Sequence, residues 1–250
     1  MRVLAIHAHP DDVEILAGGT LALLSAAGHE VTIVSMTPGD CGSKHHSPEE
    51  IAAIRRVEAG NAAALIGAAY VCAEFRDMAI FNDDAGRRKT TEILRLTQPH
   101  IVITASPADY HCDHEATSVL VRDACFAAPA PNYGSGTAAP LPAIPHLYFM
   151  DSIEGLDREG QPIRPDFTVD VSATFEQKMK MLACHESQRL WLKEHHGMDD
   201  YLESMENWTR ERGRQAHITY GEGFRRYPGH PYPQTELLAE LLGPVKTGAF

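Results

Sequence analysis

The sequence predicts an α/β protein, a doubly wound, mostly parallel Rossmann-like sheet with helices on both faces. Three observations carry that expectation. Strand-length and helix-length segments alternate four times before residue 129, the pattern of a parallel sheet covered by helices. The connections between them are short, and right-handed crossovers wind such a chain into one sheet. The run VTIVSM at 31–36 is mostly apolar without strict alternation, as in a strand buried on both faces.

The first strand is the apolar run 3–6, which breaks into His7, His9, Pro10, Asp11, Asp12 and Glu14. A helix follows over 13–27, closed by Gly28, and then the second strand, 31–36. A polar loop leads to Ser47-Pro48-Glu49-Glu50, an N-cap with Pro at the first helical position and acids in the first turn. That helix runs to about residue 65. The third strand is expected at 69–75, a helix at 87–96 closed by Pro99, and the fourth strand at 100–105. The turn 109–114, DYHCDH, precedes a helix over 115–128. Residues 129–145 are rich in Pro, Gly and small residues, and such a long loop serves as a lid, a binding loop or a surface insertion. Strands at 146–150 and 167–171 and a helix over 175–193 complete the legible part. In the order 3-2-1-4, strands one and four flank the point where the winding reverses, the crevice in which such sheets bind ligands. The two histidine-rich turns follow those two strands.

With 250 residues the chain suits one large domain over 1–250. A formal charge of −12 and the lack of a basic run argue against nucleic acid as a partner. No apolar stretch approaches the roughly 20 residues of a membrane span. The four-residue run after Arg2 is too short for a signal-peptide core. Five scattered cysteines without a CxxC fit a reduced, cytoplasmic protein.

Imidazoles and carboxylates crowd two turns where an ordinary fold would accept Gly, Ser or Asn, and a bound metal ion is the simplest reason. His9 and Asp12 are three apart at the entry to a helix, and His111 and His114 are three apart in the second turn. Three protein donors plus water is the pattern of a catalytic zinc site. Asp11 and Asp113 flank these donors and suit a base and an orienting partner. Of the fourteen histidines, His45, His46, His195, His196, His217 and His230 read as ordinary surface or core residues. Glu14 reads as an acid at a helix N-terminus, and the four cysteines other than Cys112 as small buried residues.

These motifs resemble those of the PIG-L/LmbE-like zinc-dependent N-acetylglucosaminyl deacetylase family. Residues 8–14, AHPDDVE, match its AHPDD signature, and His111-Cys112-Asp113-His114 matches its HPDH motif with Cys in place of Pro. Arg55 and Glu58 resemble its RxxE helix, and His185-Glu186-Ser187-Gln188 its HxSQ element. The likeness spans about 1–190 and leaves 191–250 as a C-terminal extension. It implies that His9, Asp12 and His114 hold Zn2+, although Fe2+, Co2+ or Ni2+ suit the same donors. It implies Asp11 as general base, and His111, hydrogen-bonded to Asp113 and kept cationic by it, as oxyanion stabiliser. Arg55 and Asp77 take positions where relatives contact the sugar, and Tyr110 one from which a ring covers the substrate. The partner implied is a small amino-sugar conjugate, losing its N-acetyl group as acetate. Some relatives form trimers or hexamers, so a homo-oligomer is compatible with the resemblance. Two competing readings are an amidohydrolase barrel, with His7 and His9 as paired ligands, and a non-catalytic sugar-binding or metal-regulated module on the same fold.

Overall fold

A computed structural model describes residues 1–196, 201–242 and 245–246. Its centre is one sheet of eight strands in the order β3-β2-β1-β4-β5-β7-β6-β8. The strands are β1 (Arg2–His7), β2 (Glu30–Ser35), β3 (Ala69–Cys72), β4 (Ile101–Thr104), β5 (His146–Met150), β6 (Phe167–Asp170), β7 (Gly221–Arg226) and β8 (Val245–Lys246). From β3 to β5 every pairing is parallel, while β7 runs antiparallel to both β5 and β6. The open sheet rules out the amidohydrolase barrel. The helices are α1 (Asp12–Ala26), α2 (Pro48–Ala64), α3 (Asp84–Thr97), α4 (Cys112–Ala127), α5 (Phe175–Ala183), α6 (Glu186–His196), α7 (Tyr201–Gln215) and α8 (Leu237–Leu242).

Both faces of β1 are buried, and successive side chains feed two separate cores. Val3 and Ala5 pack with Leu16, Leu21 and Leu24 of α1 and Met181 of α5. Leu4 and Ile6 pack with Leu94 of α3 and Leu120, Val121 and Ala124 of α4. The helix α2 starts as expected: Ser47 accepts from the Glu50 N–H and the Glu50 carboxylate accepts from the Ser47 N–H, with Pro48 leading the first turn.

The structure corrects one sequence expectation and decides two stretches the sequence left open. The helix expected over 175–193 is two helices, broken between α5 and α6 at Cys184 and His185. The tail beyond it holds the 15-residue helix α7 and the strand β7, wedged between β5 and β6. β7 escapes a periodicity reading because GEGFRR has two glycines and three charges, and its Glu222 is buried by a specific partner. Loop 129–145 is no lid. It joins the end of α4, roughly 22 Å along the helix from its start, to the first residue of β5, so both its ends lie away from the histidine-rich turns. Arg95 of α3 holds it through the carbonyls of Ala128 and Ala130 and the Ser135 hydroxyl, and Glu92 accepts from Ser135, Thr137 and Ala138.

Candidate metal centre

The carboxyl ends of β1 and β4 are neighbours, in register from Val3↔Ile101 to Ile6↔Thr104. The turns after them therefore meet. His9 and Asp12 come from the first, His114 from the opening turn of α4. Their donor atoms form a triangle: His9 Nδ1 is 3.3 Å from Asp12 Oδ2, His114 Nε2 is 3.3 Å from the same oxygen, and the two nitrogens are 3.3 Å apart. A tetrahedral divalent ion with bonds of about 2.0–2.1 Å needs donors ~3.3–3.4 Å apart. The described residues thus include a donor set that fits a metal ion, and His9, with 14% of its side chain exposed, opens it to solvent. His111 and His7 lie near enough to belong to alternative donor groups, His9/His111/His114 and His7/Asp12/His114.

Buried carboxylates back each imidazole. Asp109 Oδ1 sits 3.0 Å from His114 Nδ1, which leaves Nε2 as the donor atom of the triangle. Asp113 Oδ2 sits 3.2 Å from His9 Nε2, leaving Nδ1 for the triangle. His7 Nδ1, fully buried, contacts Asp12 Oδ2 at 2.7 Å, and burial pushes its pKa down. Burial opposes charge on His9 as well, but its hydrogen bonds to Asp113 and Asp12 outweigh it and push the pKa up to about 10. The Asp12 carboxyl stays well below its usual range: against burial stand the charges of His114 and His7 and the hydrogen bonds of His7 and His9.

His111 differs from expectation. It is the N-cap of α4, its Nδ1 accepting the Asp113 N–H at 3.1 Å. Nδ1 is therefore an acceptor, the ring proton belongs on Nε2 and the imidazole is neutral. Burial, with His9 and His114 nearby, pushes its pKa down. The Asp113 carboxylate does not pair with this ring; it accepts from His9 and from the Met78 N–H at 2.7 Å. One residue cannot both cap through its N–H and turn its side chain back to the capping ring without giving up these bonds.

Asp11 is the N-cap of α1, yet its side chain makes no cap bond, and its backbone sits at φ 99, ψ −30. That conformation costs a non-glycine residue on the order of 1–3 kcal/mol. Its carboxylate faces the Tyr201 hydroxyl, 2.5 Å from Oδ2, and the Arg55 guanidinium, 3.6 Å from Oδ1. Burial raises the Asp11 pKa, with Arg55 opposing. Burial and then Asp11 hold the Tyr201 phenol far above its ordinary value.

Arg55 is buried, 3% exposed. It donates to the Pro10 carbonyl at 2.8 Å, and Gly39, at φ 75, leaves the room in which the guanidinium lies, since a Cβ there would be 2.2 Å from Nη1. Glu58, one turn on, accepts from the Ser187 N–H and hydroxyl, and His185 lies 3.4 Å from Glu14. The RxxE and HxSQ elements therefore brace the first turn from behind. Glu14 stands in the first turn of α1 as expected, and it is buried, 1% exposed, against His185. Asp77 Oδ2 accepts the Cys41 N–H, while Oδ1 lies buried without a partner, 3.9 Å from His9 Nε2. Tyr110 is exposed at the rim, its ring 5.7 Å from that of His111 and 5.6 Å from that of His114. Two residues here had no role in the sequence reading. Asp109 carries a weak signal, an acid five positions before His114; Tyr201 carries none.

The model of the GlcNAc-PI de-N-acetylase family, PIG-L, matches residues 4–125. The structure of N,N'-diacetylchitobiose deacetylase from Pyrococcus horikoshii superposes with a TM-score of 0.76 at 30% identity, covering 94% of this chain and 88% of that one. This chain belongs to the PIG-L family. Diacetylchitobiose deacetylase of Thermococcus kodakarensis is 28% identical over 247 residues, 91% of this chain and 84% of that protein. A 4-oxalmesaconate hydratase of Pseudomonas putida is 26% identical over 197 residues, 75% of this chain and 74% of that protein. This PIG-L chain is thus an enzyme whose named relatives include deacetylases, which act on amide bonds. Among its described residues no helix is long and apolar enough to cross a membrane.

Proposed function

We propose that this chain is a zinc-dependent hydrolase that removes the N-acetyl group from an N-acetylglucosamine-type amino sugar or its conjugate. The observation that carries the reading is the donor triangle of His9, Asp12 and His114 beside a carboxylate, Asp11, that neither joins the triangle nor caps its helix. The kinship to diacetylchitobiose deacetylases supports the substrate class.

His9, Asp12 and His114 would hold the ion, and Fe2+, Co2+ or Ni2+ would suit the same donors. Zinc, when bound, lowers the pKa of a water ligand to about 7 and polarises the acyl oxygen. Asp11 takes the proton of the attacking water and delivers it to the departing amine nitrogen. His111 presents Nε2–H to the acyl oxygen as it becomes negative, so the bond strengthens in the transition state. As a neutral donor it does this without a change of charge. Asp113 acts through His9, fixing which ring nitrogen faces the ion. Tyr110 at the rim and Asp77 on the floor contact the sugar, while Arg55 acts from behind through Pro10 and Asp11. Acetate and the free amine leave.

The test is acetate release from N,N'-diacetylchitobiose, with zinc content assayed on the same sample. Asp11→Ala is expected to keep the zinc and to lose about 10²–10⁴ in kcat. Undiminished acetate release by that variant refutes the assignment, and a zinc-loaded wild type inert on N-acetyl sugars refutes the hydrolase. The hydratase relative favours a second reading, addition of water to an unsaturated acid. Conversion of 4-oxalmesaconate without acetate release selects it. The carboxylates of Asp77, Asp109 and Asp113 around the triangle make a neutral acetamido sugar the better fit than a polycarboxylate.

A further inference from the structure

We infer that Tyr201 is a positioning residue for the base. Its hydroxyl, reaching in from α7, holds the Asp11 carboxylate in the orientation that lets it take a proton from water. The inference rests on the hydrolase reading for its kinetic test and on geometry alone for its structural one.

An aspartate at an N-cap ordinarily turns its carboxylate back onto the N–H of the second or third helical residue. Asp11 makes no such bond although it stands at the N-cap of α1, and its backbone is held at φ 99. Something must outweigh both the lost cap and the strain. Among the described residues two groups lie at hydrogen-bond or ion-pair distance. Arg55 lies 3.6 Å from Oδ1 and is itself committed to the Pro10 carbonyl at 2.8 Å. Tyr201 is closer, 2.5 Å from Oδ2, on a ring only 5% exposed. That ring packs with Phe175, Leu182 and Met205, so the hydroxyl is aimed by a rigid apolar cluster. A hydrogen bond to a charged oxygen in such surroundings is among the stronger ones a protein makes. A carboxylate free to rotate would fall back to the helix and cap it, out of reach of the reacting water. Tyr201 lies 190 positions from Asp11 and beyond residues 4–125 that the family model matches, so a helix late in the chain would complete the site.

Tyr201→Phe removes one oxygen and keeps the ring. Expected is a fall in kcat for acetate release of about tenfold or more, with KM and zinc content near wild type. In an Asp11→Asn background the same change is expected to alter the residual rate by less than about twofold, since a carboxylate no longer needs holding. Wild-type kcat in Tyr201→Phe, or an equal loss in both backgrounds, overturns the inference. A crystal structure of Tyr201→Phe tests it without turnover. The Asp11 carboxylate is expected to rotate onto the N–H of Val13 or Glu14, and an unmoved carboxylate overturns it. Failure of the wild type to release acetate counts against the hydrolase reading and leaves this structural test standing.

Discussion

At the scale of single residues, the centre depends on carboxylates that never need to touch a ligand. Asp109 is fully enclosed, and Oδ1 serves two donors, His114 Nδ1 at 3.0 Å and the His111 N–H at 3.1 Å. It thereby sets the tautomer of one imidazole and holds the residue that carries the other. Asp109→Asn keeps the shape but presents either an amide NH2 or a weaker acceptor to His114. Zinc affinity, read by competition with a chelator, is expected to fall about 10–100-fold while the chain remains folded. An unchanged affinity would mean that His114 is oriented by packing alone. The same logic reassigns Asp113, which the motif pairs with His111 and the structure pairs with His9. Motif spacing brings residues within reach of one another; the choice among acceptors in reach is made by the direction of α4, whose first turn uses the Asp113 N–H to cap itself.

At the scale of elements, α1 is tied to the C-terminal half by a buried ion pair. Lys178 of α5 and Glu222 of β7 lie 2.7 Å apart, both almost wholly enclosed. The Glu222 carboxylate accepts from the N–H of Gly19 and Thr20, and the Lys178 ammonium donates to the Ile15 carbonyl. Those are backbone groups in the middle of α1, and Gly19 is what permits the approach, since a Cβ there would lie 2.7 Å from Val171 Cβ. Glu222→Ala leaves a buried ammonium and two N–H groups without that acceptor. A loss of about 3–5 kcal/mol is expected from urea unfolding; a loss below about 1 kcal/mol would show that the pair contributes little. Nothing local in the sequence marks the purpose of the Gly18-Gly19 doublet. Its role depends on two side chains that meet it from more than 150 positions away.

For the molecule as a whole, the described residues after 200 belong to the sheet and not to an appendage. β7 fills the gap between β5 and β6, and the segment after it returns to the start of β5, where the ring of His146 faces the Thr235 backbone. Burial lowers the His146 pKa, with the Thr235 contact opposing. The folded chain then binds fewer protons at His146 than the unfolded chain does between that lowered value and 6.5. Stability from this group is present above pH 6.5 and is lost as the pH falls through that window. His146→Gln is expected to show a smaller drop in Tm between pH 7 and pH 5 than the wild type. An equal drop in the two would place the acid sensitivity elsewhere.

Much of this protein is legible in short stretches of chain. Strand and helix alternation over 1–128, the Ser47 cap and the two turns bearing His9, Asp12 and His114 all follow from residue types a few positions apart. Local periodicity and turn chemistry report on neighbours in sequence. Their meeting in space follows from sheet topology, because parallel strands at the switch point bring their carboxyl ends together. The partners of Asp11, Asp113, Glu14 and α1 were decided only by the folded chain. Tyr201 stands 190 positions from Asp11 and Glu222 203 from Gly19, and at such separations no spacing rule links two residues. A buried polar atom takes whichever donor the packing of the whole molecule delivers to it.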